Sequence, residues 1–190
     1  MTAPLTRFPR RTLRGDRPIY RIHRATRGAW WFSGDGSGRF DPVGTGKGAC
    51  YLADDPLGAW VEVFRKQMLL PEAELQGRHL LTVELGRDVR LADLTSRRAL
   101  TFGVTASLGA NEDYGPSHAF AKQAVEAGFD GIRYRVRHDP SQKLYGYALF
   151  SDPGVTAGGT QWPAGRSEAI DEDLITEVRR AFGYRVLPTP

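Results

Sequence analysis

Three residues suited to handling a charged, flat ligand fall within about two dozen positions of one another: Arg39, Tyr51 and Glu62. They lie in the run SGRFDPVGTGKGACYLADDPLGAWVEVF (37–64), glycine-rich in its first half and opening a helix in its second. An arginine holds an anion with a planar fork, a tyrosine ring stacks on a heterocycle, and a carboxylate stabilises developing positive charge. Arg39 follows Gly36-Ser37-Gly38, where missing side chains would let a phosphate approach backbone N–H groups. Upstream, Arg21 and His23 share the polar face of a strand. Arg21 would act there as a second anion clamp, or both residues would form salt bridges on an exposed sheet face.

Each of these residues also has a plainer reading. Glu62 lies away from the centre of its helix's apolar stripe, with Lys66 four residues on. That is the spacing of an exposed ion pair worth roughly 0.2–0.5 kcal/mol. Against it, Gly58 and Ala59 one turn earlier leave room for a ligand on the same flank. Tyr51 could equally be a strand tyrosine with its hydroxyl in water. The nucleotide motifs with glycine signatures do not fit. Lys47-Gly48-Ala49 lacks the ending of a P-loop, and GDGSGR (34–39) does not sit in a strand–turn–helix unit.

The elements that must position these residues can be traced from their periodicity. PIYRIHRA (18–25) alternates as a strand, with Tyr20 and Ile22 opposite Arg21 and His23. An irregular glycine loop spans 28–48, and ACYLA (49–53) is a short strand. Asp55 caps the next helix with Pro56 at its first position, and Leu57, Trp60, Val61, Phe64 and Met68 form its apolar face. Strands follow at RHLLTVEL (78–85) and VRLADL (89–94), then a short helix around 96–102. A helix runs from Pro116 to a glycine stop at Gly128. DGIRYRV (130–136), with Ile132, Tyr134 and Val136 alternating against Arg133, Arg135 and Arg137, and LYGYALF (144–150) are strands joined by the turn HDPSQK. Residues 151–167 form a Gly/Pro-rich surface loop, and SEAIDEDLITEVRRAF (167–182) a last helix, acidic early and basic late. The sum is α+β, a mixed, split sheet with a few helices and no internal repeat.

Composition narrows the function. A 190-residue chain with 41% hydrophobic and 25% charged residues suits one soluble domain with extended tails. A single cysteine, Cys50, excludes an internal disulfide framework and fits a reducing cytoplasm. The four histidines show no metal-ligand spacing, so no metal is expected. No stretch is apolar enough to span a bilayer, and the start lacks a signal-peptide core. A net charge of +4 points to an anionic ligand or partner. Much of the excess lies in residues 1–18, expected to be a flexible basic arm. Such an arm could contact phosphate only, and with no zinc-finger or helix-turn-helix signature direct nucleic-acid binding is not expected.

Four blocks, YRI (20–22), SGRFD (37–41), YLADDPLGAWVEV (51–63) and GFDGIRYRVRHDP (128–140), resemble the RES domain family in order and spacing. These are the toxins of bacterial RES–Xre toxin–antitoxin pairs. The resemblance implies a catalytic domain over 19–150, with the loop and helix of 151–190 packed on it, and a fold similar to ADP-ribosyltransferase toxins. It implies an enzyme that takes NAD+ as substrate, needs no cofactor, and depletes NAD+ as a glycohydrolase or phosphorylase. Transfer of ADP-ribose to a macromolecule is the alternative it allows, and a lapsed binding module is a third. It assigns Arg39, Tyr51 and Glu62 to catalysis, and Arg21, Arg39, Tyr51 and Gly38 to substrate binding. The family's serine, two residues after the strand tyrosine, corresponds to Val136. Ser117 and Ser141 are therefore candidates to stand in, with Arg135 beside them in the binding set. A Xre-type DNA-binding antitoxin covering the active site is the expected partner, and a homodimer is left open.

Overall fold

The computed structural model describes residues 5–65, 67–154 and 162–188. Its elements in chain order begin with β1 (Arg10–Leu13), β2 (Ile19–Arg24), β3 (Gly48–Ala53), α1 (Pro56–Phe64), β4 (Leu69–Pro71) and α2 (Glu72–Gln76). They continue with β5 (Arg78–Val83), β6 (Val89–Asp93), α3 (Ser107–Ala110), α4 (Gly115–Glu126), β7 (Gly131–Arg135) and β8 (Tyr145–Ser151). β9 (Arg166–Ala169), α5 (Glu172–Phe182) and β10 (Arg185–Leu187) complete the chain, with short 3₁₀ helices at Leu5–Arg7 and Arg97–Phe102.

Eight strands form one mixed sheet in the order β1-β6-β7-β8-β3-β2-β5-β9. Only β6 and β7 run parallel within it; α4 lies in the crossover between them. The sheet is narrowly joined at its middle. β3 pairs with β8 and β2 with β5 over six residues each, whereas β2 meets β3 at Tyr20 and Ala53 alone. Beyond that pair the two strands diverge, which makes the sheet split as the sequence led one to expect.

Alternation along the strands feeds two cores on opposite faces. Cys50, Leu52, Tyr147 and Leu149 join Trp30, Phe32 and Trp162 on one face. Ala49, Ala148, Phe150, Ile132 and Tyr134 pack with Phe40 and Phe120 beneath α4 on the other. A third cluster joins Trp60 and Phe64 of α1 to Leu174, Ile175 and Val178 of α5. The expected cap of α1 is present, with the Asp55 carboxylate accepting from Leu57 N at 2.8 Å.

Four expectations need correction. Residues 5–18 are not a detached arm: Leu5, Phe8 and Leu13 are buried, and β1 pairs with β6 along its whole length. Apolar side chains every few residues anchor the arginines between them, a pattern that net charge concealed. Met68 leaves the α1 stripe because the helix ends at Phe64, and Arg65 takes a positive φ of 50° as its C-cap. The last helix starts at Glu172, since residues 166–169 pair with β5 as β9 and Asp171 supplies the cap. Trp162 is buried, so the surface loop does not extend that far; the remainder of that expectation, 155–161, lies outside the described residues.

Gly146 sits across the β7–β8 ladder from Tyr134, and an added Cβ would come within 2.4 Å of the tyrosine ring. The ring is itself held against Phe40 at 5.0 Å between centroids. Gly146→Ala is therefore expected to lower unfolding free energy by about 1–3 kcal/mol, the usual cost of overpacking. Urea denaturation checks this, and an unchanged midpoint would show that Tyr134 moves aside freely.

Candidate active site

The gap between β2 and β3 opens into a cleft of about 590 Å³ walled by both strands, the glycine loop and α1. Arg21, one residue past the last register pair, turns its guanidinium across the gap and donates to the Tyr51 carbonyl at 3.0 Å. The side chain thus satisfies an acceptor on β3 that has lost its β2 partner. Arg21 Nε is buried in the cleft wall without a partner.

The glycine loop is organised by a carboxylate, Asp41, which is fully buried. It accepts from the Tyr51 hydroxyl at 2.8 Å and from Gly38 N at 2.9 Å, with Ser33 Oγ at 3.3 Å. The Tyr51 hydroxyl accepts in turn from Phe40 N at 2.8 Å. Burial drives the Tyr51 pKa well above its ordinary value, reinforced by Asp41, so the phenol stays a donor. Burial also raises the Asp41 carboxyl, opposed by the hydrogen bonds from Gly38, Tyr51 and Ser33. Gly38 is required for contact: a Cβ there would meet the Tyr51 hydroxyl at 2.4 Å. From α4, His118 Nε2 donates to the Gly38 carbonyl at 2.9 Å.

This network aims Arg39 into the cleft. Its guanidinium lies 4.5 Å from the Tyr114 ring centroid and donates to the Asn111 carbonyl at 2.5 Å. Glu62 enters from α1, partly buried and facing Tyr134. Burial raises its carboxyl above the ordinary glutamate value, opposed by Tyr134 and by the charges of Arg65 and Arg39. The Tyr134 hydroxyl is buried against Glu62 and makes no hydrogen bond of good geometry. Among the described residues three buried side-chain donors lack partners, and two of them, Arg21 Nε and Tyr134 Oη, line this one cleft. Seven arginines line it against one carboxylate, Glu62. Such a site suits an anionic ligand in which positive charge develops near Glu62.

The RES domain family model matches residues 18–167. The chain belongs to the RES domain family. Its fold is shared with a chain in the crystal structure of the M. tuberculosis MbcT–MbcA toxin–antitoxin complex. The TM-score is 0.66 at 22% identity, covering 89% of this chain and 92% of that one. No curated protein sequence matches the chain.

The RES cleft brings together Arg21, Gly38, Arg39, Tyr51 and Glu62. It does not bring in Ser117, Arg135 or Ser141. Ser117 is buried on α4 and donates to the Leu108 carbonyl at 2.7 Å. Ser141 donates to Asp139 in the β7–β8 turn at 2.6 Å. Arg135 is exposed on the far side of β7, against the Gln142 carbonyl and the Tyr145 ring. Val136 is buried at 1% exposure between the cleft residues Tyr134 and Arg137.

Three local expectations also change. The N–H groups of Ser37 and Gly38 are taken by Asp35 and Asp41, so the loop offers no backbone nest for phosphate. Gly58 makes room for β3 and not for a ligand, since a Cβ would lie 2.9 Å from that of Ala53. Glu62 faces the cleft, and Lys66, its expected ion-pair partner, lies outside the described residues. Asp41 and Tyr134 stand inside blocks the sequence already marked; strand alternation puts Tyr134 on the buried face, but nothing in the spacing reveals that Asp41 is buried or that Tyr134 faces Glu62. Tyr114 and Arg137 gave no signal. Among the described residues no helix is long and apolar enough to cross a membrane, and no group of three His, Cys, Asp or Glu could hold a metal ion.

Tyr51→Phe removes a donor to buried Asp41 and strands Phe40 N–H, which is expected to destabilise the protein by about 1–3 kcal/mol. The strain should appear locally, as faster amide exchange of residues 36–41. Exchange unchanged there would show that the hydroxyl does not hold the loop.

Proposed function

We propose that this RES protein cleaves the nicotinamide–ribose bond of NAD+. The single observation that carries this is the pairing of one half-sequestered carboxylate, Glu62, with a wall of arginines and two unsatisfied buried donors. NAD+ has an anionic pyrophosphate for the arginines and a ribose that turns cationic as its bond breaks.

As the C1′–N bond breaks, its electron pair moves to the ring nitrogen and nicotinamide departs neutral. The ribose is left with oxocarbenium character. Glu62, ionised, stabilises that charge more than it stabilises the ground state, which is the condition for catalysis. Arg39 and Arg21 hold the pyrophosphate, Arg39 braced by Tyr114 and Arg21 by the Tyr51 carbonyl. Tyr51 forms the wall against which the ring is oriented, and Tyr134 supplies a hydrogen bond to Glu62 or to a ribose oxygen. Water, phosphate or a macromolecular nucleophile then takes C1′ and loses its proton.

One observation favours a second reading, a binding module without turnover: the family's serine position is occupied by buried Val136. Partner restraint fits either reading. A cleft open on its arginine-rich side suits an antitoxin with an acidic segment, and the structure of similar fold is that of a toxin–antitoxin complex.

Product analysis tests the proposal. The wild type should release nicotinamide from NAD+, and Glu62→Gln should lose this by about 10²-fold or more. Label from NAD+ kept on a macromolecule would mark transfer; label only in small products marks depletion. No release with water, phosphate or cell extract present would sink the proposal.

The raised Glu62 carboxyl adds a pH test. Its ionised form is the working one, so kcat/KM should fall as pH drops, on a limb above the ordinary glutamate range. For stability the sign is opposite. The folded carboxyl holds its proton more tightly than the unfolded one, so folding is favoured at low pH and loses that contribution as pH rises through the folded pKa. At pH 7 Glu62→Gln should therefore melt no lower than wild type. A large drop in its melting temperature would mean that Glu62 is a structural anchor.

A further inference from the structure

Resting on the NAD+ reading above, we propose that the end of the cleft formed by Arg24, Arg27 and Trp31 takes an adenosine bearing an extra phosphate monoester. NADP+ is then preferred over NAD+. The charge balance starts the argument. Arg21 and Arg39 suffice for the two charges of a pyrophosphate, and NAD+ brings no further anionic group to the remaining arginines of the wall.

The surplus is concentrated at one place. Arg24 and Arg78 stand directly opposite each other in the β2–β5 ladder, an arrangement of like charges that costs stability. Arg78 is compensated by Glu74 at 2.5 Å. Among the described residues Arg24 and Arg27 have no carboxylate within ion-pair distance. Arg27 is folded back onto Arg24 by a turn in which its N–H donates to the Arg24 carbonyl at 3.0 Å.

That turn is built and not incidental. His23, buried beneath it, approaches the Arg24 and Arg27 carbonyls with Nδ1 at 3.0 and 3.2 Å. Carbonyls only accept, so Nδ1 carries the proton, and Nε2 accepts from Ser167 Oγ at 2.8 Å. A neutral, hydrogen-bonded histidine thus fixes the backbone turn that carries these two arginines, each without a carboxylate partner, on the cleft wall. Two such forks match the oxygens of a phosphate dianion.

Four residues beyond Arg27 stands Trp31, which lines the same cleft and is 54% exposed. Its neighbour Trp30 is fully buried and donates to the Pro163 carbonyl. An indole this open on a cleft wall is a stacking surface for a purine. Arg24 is three strand residues from Arg21, about 10 Å along β2. Alternation points the two side chains to opposite faces of β2, and both border the cleft where that strand has lost its β3 partner, with Trp31 flanking the second.

Calorimetric titration of the full chain with adenosine 2′,5′-bisphosphate and with 5′-AMP reads this subsite without turnover. The bisphosphate should bind about tenfold tighter or more. Arg24→Ala, Arg24→Gln and Arg27→Ala should each bring the two ligands to near-equal affinity while leaving 5′-AMP binding unchanged. Trp31→Leu should weaken both ligands together. Removing Arg24 relieves the clash with Arg78, so these variants should melt no lower than wild type. Equal binding by the wild type, or a preference that survives the arginine variants, overturns the proposal. Nicotinamide release without a 2′-phosphate preference defeats this subsite alone, and the preference without release defeats the NAD+ reading alone.

Discussion

Across the gap where β2 and β3 part, the Arg21 guanidinium donates to the Tyr51 carbonyl, and the rest of the site depends on that bridge. A sheet interrupted at its centre leaves backbone groups on two inner edges without ladder partners, an arrangement normally confined to a sheet's outer edge. The chain meets the cost with one charged side chain and a ligand-sized cleft. Because Arg21 is anchored through one nitrogen of its fork, the group is fixed in direction, with Nε buried and without a partner. Continuous pairing would have closed the sheet and removed the cleft.

The second constraint is the buried Asp41. A carboxylate out of water must be hydrogen-bonded on its lone pairs, and Tyr51, Gly38 and Ser33 do this. The loop is thereby drawn tight over β3, and Arg39, between two bound residues, has little choice of direction. Glu62 is treated in the opposite way. Burial raises both carboxyls, but Glu62 has arginines near it and no tight ion pair among the described residues. The loop-holding carboxylate and the cleft-facing one are separated here by the number of hydrogen bonds each receives.

Much of this was legible in order and spacing. The blocks around Arg21, Arg39, Tyr51 and Glu62 marked the family, and alternation in DGIRYRV correctly separated buried Ile132, Tyr134 and Val136 from the arginines between them. What escaped was whatever depends on partners distant in sequence. The Tyr51 hydroxyl was not read as buried and committed because its partner Asp41, ten residues earlier, shows its own burial only in three dimensions. Ser117 and Ser141 read as stand-ins because closeness in sequence was the only measure available, and each is committed to a carbonyl or a turn. The basic arm read as solvated because charge outweighs three scattered apolar residues in composition, though not in packing.

The sequence by itself determined the family, the six central strands of the sheet with helices α1 and α4, and five residues of the cleft, because hydrophobic period and motif spacing are local properties carried by the chain. Tertiary structure decided which polar groups are left unsatisfied. Whether an arginine, tyrosine or glutamate is committed to the fold or available to a ligand depends on every group packed around it, and those neighbours come from β2, β3, α1, α4 and β7 at once. In the opening run 37–64, Gly38 and Gly58 turned out to serve the packing of Tyr51 and Ala53, while Arg39 and Glu62 were left facing the cleft.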